Sequence, residues 1–196
     1  VAHSFPTRRS SDLMDFYHSW VDANSEKLGL VKTRSDLNHV LGTWNAESTD
    51  PVVGLLMLME GADAVERPED ISAWYDRGLR MLGPSWTGTV YAGGTREPGP
   101  FTNAGLELLD AMAEVNMILD ISHLSEQGCL QALDHYEGPV AASHGNPAGM
   151  VNNSSTPERF FTDDVILRLA ERGGVIGMTA YNRFLRGDWT REDGRE

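Results

Sequence analysis

The chain has 196 residues, with 29 acidic and 16 basic side chains and a net charge of −13 at pH 7. That length suits one domain with a real hydrophobic core, and the acidic balance argues against a nucleic-acid backbone or an anionic membrane as partner. The lone Cys129 excludes an internal disulfide framework, and no apolar run approaches the ~20 residues of a membrane span.

Residues 1–13 stand apart. His3-Ser-Phe-Pro-Thr-Arg-Arg-Ser-Ser-Asp-Leu13 is what the codons of a common sequencing-library adapter spell. The segment is expected to be an artefact outside the fold, leaving 14–196 as the domain. A missing signal peptide then says nothing about compartment, and a cytoplasmic location is only a default.

Residues 14–46 predict two helices. Phe16, Trp20 and Val21, then Leu37, Val40 and Leu41, fall at helical spacing. Leu28-Gly29-Leu30 interrupts them, and Thr33 or Ser35 can cap the second. Pro51 introduces VVGLLMLME, apolar on both faces, as a buried parallel strand is. A helix over 68–79 and a short strand over 80–86 follow. A loop rich in Gly and Pro, 87–101, leads to a helix capped by Thr102 with Leu106, Leu109 and Met112 inward. MILDIS at 117–122 reads as a strand. Ser125 starts a helix carrying Cys129, Leu130 and Leu133, with Cys129 as a packing residue. PVAAS at 139–143 is another strand. A second long loop, 145–161, precedes a helix capped by Thr162, with Asp163 and Asp164 at its positive end and Arg168 and Arg172 near its negative end. GVIGMTA at 174–180 completes the series.

The rhythm gives five strands, at 52–60, 80–86, 117–122, 139–143 and 174–180, separated by helices. The expected fold is α/β, a partial TIM-type (β/α)8 barrel incomplete at both ends; an open doubly wound sheet is the alternative. Either brings the C-terminal ends of all strands to one side.

Three of those ends carry ligand-type side chains: Glu60 after LLMLM, His123 after ILDIS and His144 after VAAS. One carboxylate and two imidazoles suit a borderline divalent ion such as zinc. An unpaired carboxylate beside a core strand is costly, so Glu60 needs a cation or good donors. By strand alternation His123 extends the face of Leu119 and Ile121, and His144 that of Val140 and Ala142. Ser122, Ser143 and Asp120 then point the other way and read as structural, Asp120 as a helix-facing acceptor or as a group that backs the ligands. His18, His39 and His135 read as surface or packing residues. Arg159 could hold a substrate carboxylate, although a lone arginine is more often only a surface charge.

MLMEGAD, GLRMLGPSW, YAGGTREPGPFTNAGLELL, MILDISHLS, GPVAASHGNPAGM and RLAERGGVIGM, in this order, resemble the membrane dipeptidase (renal dipeptidase) family of zinc peptidases. The resemblance runs from about residue 16 to 184. It implies a TIM barrel that cleaves the peptide bond of dipeptides with a metal-activated water, two zinc ions bridged by a glutamate, and a homodimer. It places Glu60 as the bridge, His123 and His144 as ligands of one zinc, and Arg159 at the substrate's terminal carboxylate. The family's His-x-Asp pair for the other zinc and its late-strand aspartate have no counterpart here, so the chain by itself is expected to be inactive. Trp86 stands where dipeptidases carry a histidine that stabilises the reacting carbonyl. That departure leaves open a non-catalytic barrel that binds a ligand or partner, or another metal hydrolase such as a lactonase or deaminase.

Overall fold

A computed structural model describes residues 6–45, 49–151, 156–190 and 192. Helix α1 (Pro6–Ala23) leads into strand β1 (Leu28–Leu30), helix α2 (Arg34–Thr43) and strand β2 (Val53–Leu55). Next come β3 (Met57–Glu60), α3 (Ile71–Asp76), β4 (Leu79–Gly83), α4 (Asn103–Glu114) and β5 (Ile118–Asp120). Helix α5 (Glu126–His135), β6 (Val140–Gly145), α6 (Asp163–Glu171), β7 (Ile176–Met178) and α7 (Asn182–Leu185) complete the order.

Strands β3 to β7 form one five-stranded parallel sheet in sequence order. This is the expected α/β, partial-barrel architecture: each strand returns to its neighbour's side through a right-sized connection, and helices α3 to α6 cover one face. Their cover is a single core in which Leu82, Leu108, Leu109, Met112, Leu119 and Ile121 are wholly buried. Burying a Leu or Met side chain is worth about 1.5–3 kcal/mol, so this layer carries most of the hydrophobic stabilisation.

Four expectations are corrected. The run 52–60 is two strands, split at Leu56. Leu79 is the first residue of β4 and pairs with Met57, so β4 has nothing to offer Val53–Leu55. That segment pairs instead with Leu28–Leu30, which is a strand and not a mere interruption. Nor is the run buried: Val53, Leu56 and Leu58 are exposed, because β3 lies at the sheet's edge with one face uncovered. Finally, Thr162 occupies the N-cap position of α6, but its hydroxyl makes no cap hydrogen bond. Thr33, Thr102 and Ser125 do cap, accepting from Asp36, Gly105 and Gly128 N–H.

Helix α1 begins at Pro6 and so runs through 6–13, the part of the suspected adapter segment that is described. Helicity says nothing of where those residues came from. No helix among the described residues is long and apolar enough to cross a membrane.

Candidate metal centre

The sheet fixes Glu60. Register pairs Glu60 with Gly83 and Leu82 with Leu119, and pairs Asp120 with Ala141. Glu60, Gly83, Asp120 and Ala141 therefore share one transverse row on the face away from the helices. Gly83 leaves the row open: a Cβ there would stand 3.8 Å from the Asp120 Cβ.

Alternation alone would send both histidines to the opposite, helix-packed face. Leu119, Ile121 and Ala142, the residues they would follow, are buried in the core. They reach Glu60 because strand periodicity stops just before each of them. Strand β5 ends at Asp120, whose Oδ1 accepts the Ser122 N–H at 3.0 Å and the Ser122 hydroxyl. This tight Asx-type turn swings His123 round. In β6 the register slips between Ala142 and Gly145, which frees His144. Close approach of β7 holds the slip in place, since a Cβ on Gly177 would lie 2.0 Å from the Ser143 carbonyl oxygen.

The result is convergence. Glu60 Oε1 lies 2.9 Å from His123 Nε2 and 3.3 Å from His144 Nε2, and the two Nε2 atoms are 3.0 Å apart. Two ligands on ~2.1 Å arms at a tetrahedral angle are roughly 3.4 Å apart. The three donors thus stand close to where one tetrahedral ion would draw them, and the set is the only such cluster among the described residues. The residues fit a borderline divalent ion.

The second ring nitrogens are also held. His123 Nδ1 is 3.0 Å from the Thr95 hydroxyl, and His144 Nδ1 is 2.8 Å from that of Ser143. Thr95 reaches His123 because Gly94 lets the 87–101 loop press on the strand end. A Cβ at Gly94 would come within 2.7 Å of the Trp86 and Thr87 carbonyl oxygens.

Burial, then the nearby Arg159 and His144, push the His123 imidazolium down to about 4. The short contact to Glu60 is therefore not an ion pair at neutral pH: a neutral ring faces a carboxylate, as a metal site requires. Arg159 is buried at 4% exposure. Its Nη1 donates to the Ser122 carbonyl at 3.0 Å and its Nη2 to the His144 carbonyl at 3.2 Å. It thus ties together the backbone at both histidines. Desolvation lowers its pKa, against the pull of Glu60 and Asp120. Those two bonds use two of the five guanidinium N–H groups.

Beside His123 lies a cleft of about 440 Å³ whose lining, among the described residues, includes Trp86, Arg96, Arg159, Tyr181 and Arg183 and no acidic residue. Trp86 is exposed and meets the His123 ring edge-on, with centroids 6.0 Å apart. A larger, more apolar hollow of about 630 Å³ opens on the other side of Glu60, against Trp20, Leu56 and Leu58. The smaller, arginine-lined cleft has the polar groups that a substrate needs.

All three expected ligands are brought together, and Arg159 stands beside them. Of the two readings of Asp120, the helix-facing one is corrected and the group that backs the ligands is what the structure shows: Asp120 shares the row of Glu60 and accepts from both serines. Thr95, Arg96 and Arg183 were not singled out by sequence. The signal for the serines was present, since each ligand histidine directly follows a serine, in Ile-Ser-His and Ala-Ser-His.

A parallel β/α sheet that gathers a carboxylate and two imidazoles at its C-terminal edge is a β/α-barrel scaffold carrying a candidate metal site. The chain belongs to the membrane dipeptidase family, peptidase family M19, whose model matches residues 4–193. It is 29% identical over 153 residues to an uncharacterized protein in the pqqA 5′ region of Klebsiella pneumoniae, covering 73% of this chain and 55% of that protein. It is 26% identical over 177 residues to the dipeptidase verJ of Clonostachys rogersoniana, covering 88% and 43%. Among solved structures, the metallopeptidase dipeptidase AC superposes with a TM-score of 0.77 at 25% identity, over 96% of this chain and 53% of its own. A Rhodobacter sphaeroides metallopeptidase bearing a phosphinate mimic of the dipeptide L-Ala-D-Ala gives 0.74 at 24% identity, over 89% and 50%. The chain thus spans about half the length of these relatives.

Proposed function

We propose that the protein to which this chain belongs is a zinc-dependent dipeptidase that hydrolyses the peptide bond of a small peptide with a metal-activated water. The observation that carries this reading is the meeting of Glu60, His123 and His144 within 3.3 Å, beside an arginine-lined cleft. His123 and His144 would hold one zinc, and Glu60 would bridge it to a second. Bound there, zinc would lower the pKa of a water toward neutrality and polarise the scissile carbonyl. This chain's own side chains do the rest. The buried, neutral His123 keeps a lone pair available to the ion. Arg159, with three N–H groups beyond its two carbonyl bonds, meets the terminal carboxylate of the peptide, and Arg96 and Arg183 reinforce its field. Trp86 closes the cleft wall against water on the side of His123. Among the described residues there is no second cluster of this kind, so this chain by itself is expected to bind one zinc without hydrolysing peptides.

The test uses the full-length protein, zinc-loaded, on a panel of dipeptides. Hydrolysis that falls by at least ~100-fold in Glu60→Gln supports the reading; a Glu60→Gln variant with undiminished activity sinks it. Trp86, exposed in the cleft, favours a second reading, a non-catalytic barrel that binds a peptide or partner. Saturable dipeptide binding with no turnover would select it. Turnover of lactones or amides in place of dipeptides would select a different hydrolase.

A further inference from the structure

We propose that Asp120, acting through Ser143, fixes the tautomer of His144 so that Nε2 keeps its lone pair for a metal ion. The inference rests on the metal-site reading for its purpose, but the proton count stands on its own.

The Asp120 carboxylate is 2% exposed and fully partnered. Its Oδ1 takes the Ser122 N–H at 3.0 Å, the Ser143 N–H at 2.9 Å and the Ser122 hydroxyl. Its Oδ2 takes only the Ser143 hydroxyl, at 2.5 Å. Ionised carboxylate oxygens accept and cannot donate. The single Ser143 proton is therefore committed to Asp120. Ser143 Oγ also lies 2.8 Å from His144 Nδ1. With no proton left to give, it can only accept there, so Nδ1 carries the ring proton and Nε2 is bare. The Ser122 hydroxyl is used up in the same way: it donates to Asp120 and accepts the His144 N–H at 3.1 Å. Ser122 Oγ and Ser143 Oγ also lie 3.1 Å apart, but with both hydroxyl protons on the shorter bonds to Asp120 that contact carries none. The carboxylate that usually backs a metal-ligating histidine directly acts here through one serine.

His123 has no such constraint. Its Nδ1 faces the Thr95 hydroxyl, whose other contact is the His123 carbonyl at 3.5 Å. That contact is too long to commit the Thr95 proton. Thr95 can donate or accept, so His123 can hold its proton at Nε2 toward Glu60 without a metal and at Nδ1 with one.

Asp120→Asn inverts the polarity. The three donors to Oδ1 keep the amide oxygen in that place, so the amide NH₂ falls where Oδ2 was. It donates to Ser143 Oγ, turns the Ser143 proton toward His144 Nδ1, and drives the ring proton to Nε2. The experiment reads the ring nitrogens of His144 by ¹⁵N NMR at neutral pH in the metal-free 196-residue chain, and zinc affinity by competition titration. The expected result is an Nδ1–H ring in the native chain, an Nε2–H ring in Asp120→Asn, and zinc affinity lowered ~10–100-fold in that variant. Ser143→Thr, which keeps the hydroxyl, should retain both tautomer and affinity. If Asp120→Asn does not fold, Ser143→Ala takes its place, and loss of the single Nδ1–H form is the expected result. A native Nε2–H ring overturns the proposal, as does a folded Asp120→Asn or Ser143→Ala variant with the native tautomer. Failure of the native chain to bind zinc would instead sink the metal-site reading and leave the tautomer result to be judged by itself.

Discussion

The middle of the sheet and its edges are built from the same kind of residue and meet different fates. Leu82 on β4 and Leu119 on β5 have no exposed surface, whereas Leu56 and Leu58 beside and on β3, and Val175 and Met178 at β7, are 37–69% exposed. Composition does not separate them; neighbours do. A central strand has a partner on each side and helices α4 and α5 behind it. An edge strand has one partner and an open face. A row of unpaired backbone groups next to exposed leucines invites association.

The sharpest way to break this comparison is to truncate one leucine in each region. Leu119→Ala is expected to cost about 2–5 kcal/mol in urea unfolding, the transfer free energy plus a cavity that the packed core cannot close. Leu58→Ala, with much of its surface already in water, should cost well under about 1 kcal/mol. Equal losses would mean that the edge is covered in solution and that the contrast is false.

That contrast also sets how much could be read from sequence. The βα rhythm was legible because each central element has its own periodicity and punctuation. Thr102 and Ser125 cap as their spacing suggests, and four of the five expected strands appear as single strands close to their expected places. The split at Leu56 was not legible, because it depends on where β4 begins, at Leu79, far along the chain. At the site, residue type and position at strand ends identified Glu60, His123 and His144, yet strand alternation pointed both histidines to the wrong face. Their true direction comes from the turn made by Asp120 and from the register slip before Gly145. Both are products of pairing, not of local pattern. Thr95 depends on a loop whose path is set by a close backbone approach at Gly94, which no single-residue propensity encodes.

A titration sharpens the comparison at the covered centre. His123 lies at the end of β5, 9% exposed, with its imidazolium pushed down to about 4 by burial, Arg159 and His144. An unfolded histidine titrates near 6.5. Between these values the unfolded chain binds a proton that the folded chain refuses. Stability of the metal-free chain should therefore be level above about pH 6.5 on this group's account and fall as pH drops toward 4. The slope is at most about 1.4 kcal/mol per pH unit. Urea midpoints at pH 7 and 5, compared with those of His123→Gln, check this. The variant should lose part of the acid-side slope, and an unchanged slope would show that the ring is solvated.

The smallest effect compares two threonines in the same cap position. Thr102 Oγ1 accepts the Gly105 N–H at 3.1 Å and donates to the Val90 carbonyl at 2.8 Å, so it ties α4 to the loop before it. Thr162 Oγ1 at α6 is buried and makes neither kind of bond. A cap hydroxyl is worth about 1 kcal/mol, whereas a buried hydroxyl without a partner costs free energy. Thr102→Val should lower stability by about 1 kcal/mol. Thr162→Val, nearly the same shape with a methyl in place of the hydroxyl, should leave stability unchanged or raise it slightly. Asp163 and Asp164 supply the charge that this helix start still needs, so α6 does not depend on its threonine. A loss at Thr162 as large as at Thr102 would show that its hydroxyl has a partner in solution.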